Sequence, residues 1–180
     1  MKKLKMISLL LFLWLPVSVW ALEYPTLHYD KAIVYDLTDD KVLYELKDTE
    51  RAHVASLTKI LTTITAIESI DNLDDMITYT ENMKSLVRWD ASVAGLSVGD
   101  KVSYRDLLYA SILPSGADAT TALAISTSGS ISNFVKKMNE EASKIGMHNS
   151  HFVNVTGLDD DDHYLSLIHI SEPTRHLRIS

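Results

Sequence analysis

The chain has 180 residues, 46% of them hydrophobic, with a net charge of −7 and a pI near 5.4. That length allows one domain with a sizeable core, and an acidic balance without a basic stripe excludes the clustered positive surface that nucleic acid requires. The sequence has no cysteine, which excludes a disulfide framework, a cysteine-ligated zinc site and a cysteine nucleophile.

The first segment, MKKLKMISLLLFLWLPVSVWA, has a basic start, a short apolar run broken at Pro16, and Val19 and Ala21 at the spacing of a cleavage site. It reads as a secretory signal peptide over residues 1–21, with a run too short for a comfortable membrane span. The mature protein is therefore expected to start near Leu22, in the periplasm or otherwise outside the cytoplasm. KAIVYDLTDDKVLYELK, residues 31–47, alternates apolar and polar residues on either side of a Thr-Asp-Asp turn and reads as a hairpin. From Leu57 the period becomes helical, with Ile60, Leu61, Ile64 and Ile67 on one face. Residues 76–102 show no clean period. SYRDLLYASIL, residues 103–113, opens with Ser103 as N-cap and Asp106 as its partner. The alanine-rich 117–129 reads as a helix closed by Gly129. Residues 132–146 form the clearest amphipathic helix, with Ser132 as cap, Phe134, Val135, Met138, Ala142 and Ile145 as one face, and Gly146 as stop. Strands followed by helices predict an α+β fold, a helical layer on an antiparallel sheet.

Ser56 and Lys59 stand three apart at the start of the first helix. Chance supplies about one Ser-x-x-Lys in a chain of this composition, so the spacing alone identifies little. The context adds to it. Residues i and i+3 share a helix face, so the Lys59 amine can reach the Ser56 hydroxyl. The positive end of the helix dipole favours an oxyanion at that position, and a lysine among apolar neighbours can act as a base. The alternative is an ordinary N-cap serine beside a surface lysine.

Three blocks in order separate these readings. VASLTKILTTITAIE resembles the active-site helix of the serine D-alanyl-D-alanine carboxypeptidases, the low-molecular-mass penicillin-binding proteins. GLSVGDKVSYRDLLYASILPSGADATTALA, residues 95–124, is similar to the family's second block. FVKKMNEEASKIGMHNSHFVNVTGLDDDDHYLS, residues 134–166, is similar to its third. The resemblance covers residues 24–166, so that 22–166 is expected to be part of a DD-peptidase catalytic domain. It implies Ser56 as acylated nucleophile, Lys59 as proton acceptor and Ser115 as relay between Lys59 and the leaving amine. It also implies a peptidoglycan pentapeptide as substrate, β-lactams as covalent inhibitors, and no metal or cofactor. S-x-x-K, Ser-x-Asn and K-T-G form the motif set of such proteins.

The chain departs from that pattern twice. Where the family's second motif carries asparagine, this chain has Ala117, which offers no side-chain amide. No K-T-G occurs in the 180 residues. After residue 166 the sequence LIHISEPTRHLRIS leaves the family pattern and reads as translated sequencing-adapter DNA. Residues 167–180 are thus expected to be an off-pattern tail on a fragment that is inactive alone, with any membrane association left to a missing C-terminal segment. A non-catalytic, peptidoglycan-binding domain is the alternative to an enzyme, and a β-lactamase a weaker third. The acidic block 159–162 reads as a solvated loop, and His148, His151 and His163 as structural or surface residues, because no nucleophile elbow and no third metal ligand accompany them. Trp89 is expected to pack.

Overall fold

The computed structural model describes residues 29–53, 55–158 and 160–166. The leader expected over 1–21 and the tail expected over 167–180 lie outside the described residues. Strands β1 (Ala32–Asp36) and β2 (Lys41–Leu46) form the anticipated antiparallel hairpin, with Ala32 opposite Leu46, Asp36 opposite Lys41, and a bulge between Val34 and Tyr35. Asp36 holds the turn, since its carboxylate accepts from the amides of Thr38 and Asp39 at 2.8 and 3.1 Å. Asx geometry of this kind is a common turn former.

A two-residue strand β3 (Arg51–Ala52) is followed by one 3₁₀ turn (Ala55–Leu57) and helix α1 (Thr58–Ile67). Residues 76–102, where the sequence shows no period, contain strand β4 (Met76–Thr78) and the short helix α2 (Glu81–Ser85). β4 pairs antiparallel with β5 (Lys101–Ser103). Helix α3 (Tyr104–Ile112) carries the expected reciprocal cap between Ser103 and Asp106. Helices α4 (Ala117–Ser128) and α5 (Ile131–Lys144) follow, and β6 (Leu165–Ser166) returns to pair with β3. The α+β expectation holds, with the antiparallel strands in two-stranded ladders among the described residues. The cap of α5 is Ser130, not Ser132. Ser130 has extended backbone angles and its hydroxyl accepts the Asn133 amide at 3.1 Å, so the cap lies two residues earlier than expected.

Helix α4 is the centre of the molecule. Residues 117–124 are all buried, and α1, α2, α3 and α5 pack around them. An alanine-rich helix suits that place, because small side chains let several helices approach one axis. Its own Leu123, with Leu61, Leu107, Phe134, Met138 and Phe152 around it, forms the core. Burying each of the larger of these side chains contributes about 1.5–3 kcal/mol. This core fixes the start of α1 against the start of α4, and the Ser56–Lys59 pair and Ser115 lie at those two helix starts.

Candidate active site

Ser56 sits exposed in the 3₁₀ turn, one step ahead of α1, and Lys59 lies in the first turn of α1. Lys59 is 5% exposed, so it is not the surface charge of the alternative reading. Its Nζ donates to Ser56 Oγ at 3.2 Å and to the Thr156 carbonyl at 2.9 Å. Among the described residues no carboxylate pairs with it. Burial lowers its pKa below that of an ordinary lysine, because removing an ammonium from water favours the neutral amine. Neutral Lys59 can accept a proton from the hydroxyl it already touches.

The segment 153–163 braces this pair from behind. Thr62 Oγ1 donates to the Val155 carbonyl at 2.9 Å. Gly157 lies against the Ala55 backbone with φ +80°, and a Cβ there would stand 1.7 Å from the Ala55 carbonyl oxygen. Only glycine combines that close approach with positive φ. Ala55 itself has φ +45°, a conformation held by its surroundings rather than preferred by alanine. Asn154 closes the loop by accepting the amides of Thr156 and Gly157.

Ser115 occupies the turn between α3 and α4 with φ +60°. Its Oγ is shielded from solvent and makes no hydrogen bond among the described residues. The structure therefore brings Ser56 and Lys59 together and presents Ser115 with its hydroxyl uncommitted, bonded to neither. An unpartnered buried hydroxyl is costly and invites a functional account. The following residues lock the turn. The Gly116 amide donates to the Ala110 carbonyl and the Ala117 amide to the Ser92 carbonyl.

Asp118, to which the sequence analysis gives no role, completes this side of the site. It is 3% exposed. Its carboxylate accepts the amides of Ala94, Gly95 and Leu96 at 2.8, 2.8 and 2.9 Å, and that of Ala119 at 2.9 Å. Asp118 thus ties the loop around residues 92–97 to the start of α4. The signal was present as an acid in the first turn of a buried helix.

A cleft of about 250 Å³, lined by Leu86, Arg88, Ala117, Asn154, Thr156 and Leu158 among others, includes none of Ser56, Lys59 or Ser115 in its lining and meets the pair only through Thr156, whose carbonyl accepts from Lys59. A larger hollow of about 870 Å³, between α5 and residues 151–153, holds none of Ser56, Lys59 or Ser115. Trp89 does not pack as expected. It is 95% exposed, in a turn closed by the Arg88–Asp90 ion pair. Residues 160–162 are exposed. His148 is exposed, His151 bonds the Asp162 carbonyl, and His163 is buried. Among the described residues no group of histidines and carboxylates is arranged to hold a metal ion.

A sequence profile of the D-alanyl-D-alanine carboxypeptidases matches residues 19–177. The chain is 34% identical over 139 residues to D-alanyl-D-alanine carboxypeptidase DacF of Bacillus subtilis, covering 75% of this chain and 35% of the relative. It is 35% identical over 162 residues to DacC of Escherichia coli, covering 84% and 40%. Among solved structures, penicillin binding protein 5 of Haemophilus influenzae superimposes with a TM-score of 0.78 at 29% identity, covering 87% of this chain and 47% of that one. A variant of the Streptomyces K15 DD-transpeptidase gives 0.79 at 31%, covering 86% and 64%. The chain thus spans less than half the length of the curated relatives named here. The three collinear blocks and the shared fold lead to one conclusion: this chain belongs to the D-alanyl-D-alanine carboxypeptidase family.

Proposed function

We propose that the protein is a serine-type D-Ala-D-Ala carboxypeptidase that trims peptidoglycan stem peptides. The observation that carries this reading is the buried Lys59 amine, without a charged partner among the described residues, 3.2 Å from an exposed Ser56 hydroxyl. Ser56 Oγ attacks the carbonyl of the penultimate D-Ala while Lys59 takes its proton. The Ser56 amide, at the helix start, donates to the oxyanion. The C–N bond then breaks, and Ser115 passes a proton to the departing D-Ala amine. Water hydrolyses the ester on Ser56 with Lys59 again as base. β-Lactams take the substrate's place and acylate the same hydroxyl.

Two features shape this reading. Ala117 leaves this position without the asparagine amide of the family motif; substitution by a neighbouring group or water preserves the activity, and loss of activity is the competing outcome. The family's K-T-G strand finds no counterpart in the 180 residues, so turnover is expected from the intact reading frame rather than from this stretch alone. The sequence reading of residues 1–21 as a leader supports action outside the cytoplasm. Among the described residues no helix is long and apolar enough to cross a membrane. The test is release of D-alanine from a D-Ala-D-Ala peptide by the protein expressed from its intact reading frame, against Ser56→Ala. Release by the wild type alone supports the reading. Binding to sacculi with no release supports a non-catalytic binding domain instead.

A further inference from the structure

His163 connects the last described segment to the nucleophile helix, and no step of the proposed chemistry uses it. It is 2% exposed. The Val153 amide donates to its Nδ1 at 3.2 Å, so Nδ1 carries no proton in this arrangement. The ring proton is therefore on Nε2, which lies 2.7 Å from Thr58 Oγ1 and donates to it. The Phe152 ring meets the imidazole edge-on at 5.5 Å. Thr58 is itself fully buried, lies between Ser56 and Lys59, and opens α1.

We propose that His163 is a positioning residue for acyl transfer: its neutral imidazole, set between the Val153 amide and the Thr58 hydroxyl, holds the first turn of α1 so that Lys59 stays on Ser56. An imidazolium cannot keep this arrangement, because a proton on Nδ1 would face the Val153 N–H. Burial disfavours the charged ring, and His151 and His53 add to that; Asp160 opposes them. Asp161, Asp162 and Tyr164 flank His163 in the chain, and Lys59 follows Thr58 on α1. The neutral, positioning form is thus the one present at neutral pH, and it is lost as pH falls below the usual histidine range.

The catalytic arm of the test rests on the acyl-transfer reading above; the structural arm does not. In the protein from its intact reading frame, nitrogen chemical shifts should show an Nε2–H tautomer for His163. Thr58→Val should speed amide exchange in the first two turns of α1 while leaving the β4–β5 ladder unchanged. Labelling by a fluorescent penicillin should slow about tenfold in Thr58→Val, and Thr58→Ser should restore it to within about threefold of wild type. The part of the acid limb that lies below the usual histidine range should flatten in Thr58→Val, because His163 then has no hydroxyl to hold, while the rise set by Lys59 remains. An Nδ1–H tautomer, or unchanged α1 exchange in a folded Thr58→Val, overturns the proposal. So does labelling by Thr58→Val at the wild-type rate with the same pH profile. A wild type that takes no label contradicts the acyl-transfer reading, and the tautomer and exchange measurements still decide the role of His163.

Discussion

Gly157 and Ala55 touch backbone to backbone, so closely that a Cβ on Gly157 would fall 1.7 Å from the Ala55 carbonyl oxygen. This contact seats the 153–163 segment under the nucleophile turn. The same segment offers the Thr156 carbonyl to Lys59 and the His163 ring to Thr58. Gly157→Ala should therefore destabilise the fold by about 2–4 kcal/mol, read as a lower urea midpoint. Penicillin labelling should fall further than the lost stability accounts for, because Ala55 precedes Ser56.

Asp118 should behave as a structural charge. Asp118→Asn puts an NH₂ group among four amides that need acceptors, and should cost about 2–4 kcal/mol. Hydrogen exchange localises the effect. Residues 94–96 should lose protection first, while the hairpin of β1 and β2 keeps its own. Equal protection at 94–96 in the variant would contradict the role given to this carboxylate.

Lys59 should set the main rise of acylation with pH, above the acid limb assigned to His163. Its folded pKa is lowered by burial, so the rate should rise with pH and level off at a midpoint below that of an ordinary lysine. Stability follows the same sign. Between the lowered folded pKa and the unfolded one, the unfolded chain binds more protons, so stability rises with pH across that window. Lys59→Met should remove most of the acylation, about 10²–10⁴-fold, and should also abolish this pH dependence of stability.

Ala117 tests the altered motif. It is buried at the start of α4, at the edge of the cleft that Thr156 also lines, so Ala117→Asn adds volume to a packed helix start. Stability should fall by about 1–3 kcal/mol from the added volume, and acylation by the folded variant should quicken as the restored amide takes up the motif's role. A slower rate in a stable variant would show that this cleft works without that donor.

Much of the fold was legible because its signals are local. The face of α5, the reciprocal Ser103–Asp106 cap and the hairpin at residues 31–47 depend on neighbours a few residues away. Ser130 was missed as the cap because Ser132 nearby offers the same hydroxyl, and only backbone angles separate them. Strands β4 and β5 are three residues each, too short for a period of two to stand out. Ser56 and Lys59 were legible as a pair, but the burial of Lys59 depends on a carbonyl from residue 156. The work of Asp118 depends on amides more than twenty residues upstream. Trp89 was misplaced because aromatic character predicts burial, whereas its turn is held by the exposed Arg88–Asp90 pair. Long-range partners of this kind are fixed by the packed fold and leave no mark in a sequence window.

The central claim is that Ser56 is an acylated nucleophile activated by Lys59. Its most direct test is mass spectrometry of the protein from its intact reading frame after exposure to benzylpenicillin. The account predicts a single covalent adduct on the peptide that contains Ser56, lost in Ser56→Ala and strongly slowed in Lys59→Met. No adduct on a folded wild type, or an adduct that persists in Ser56→Ala, would contradict it.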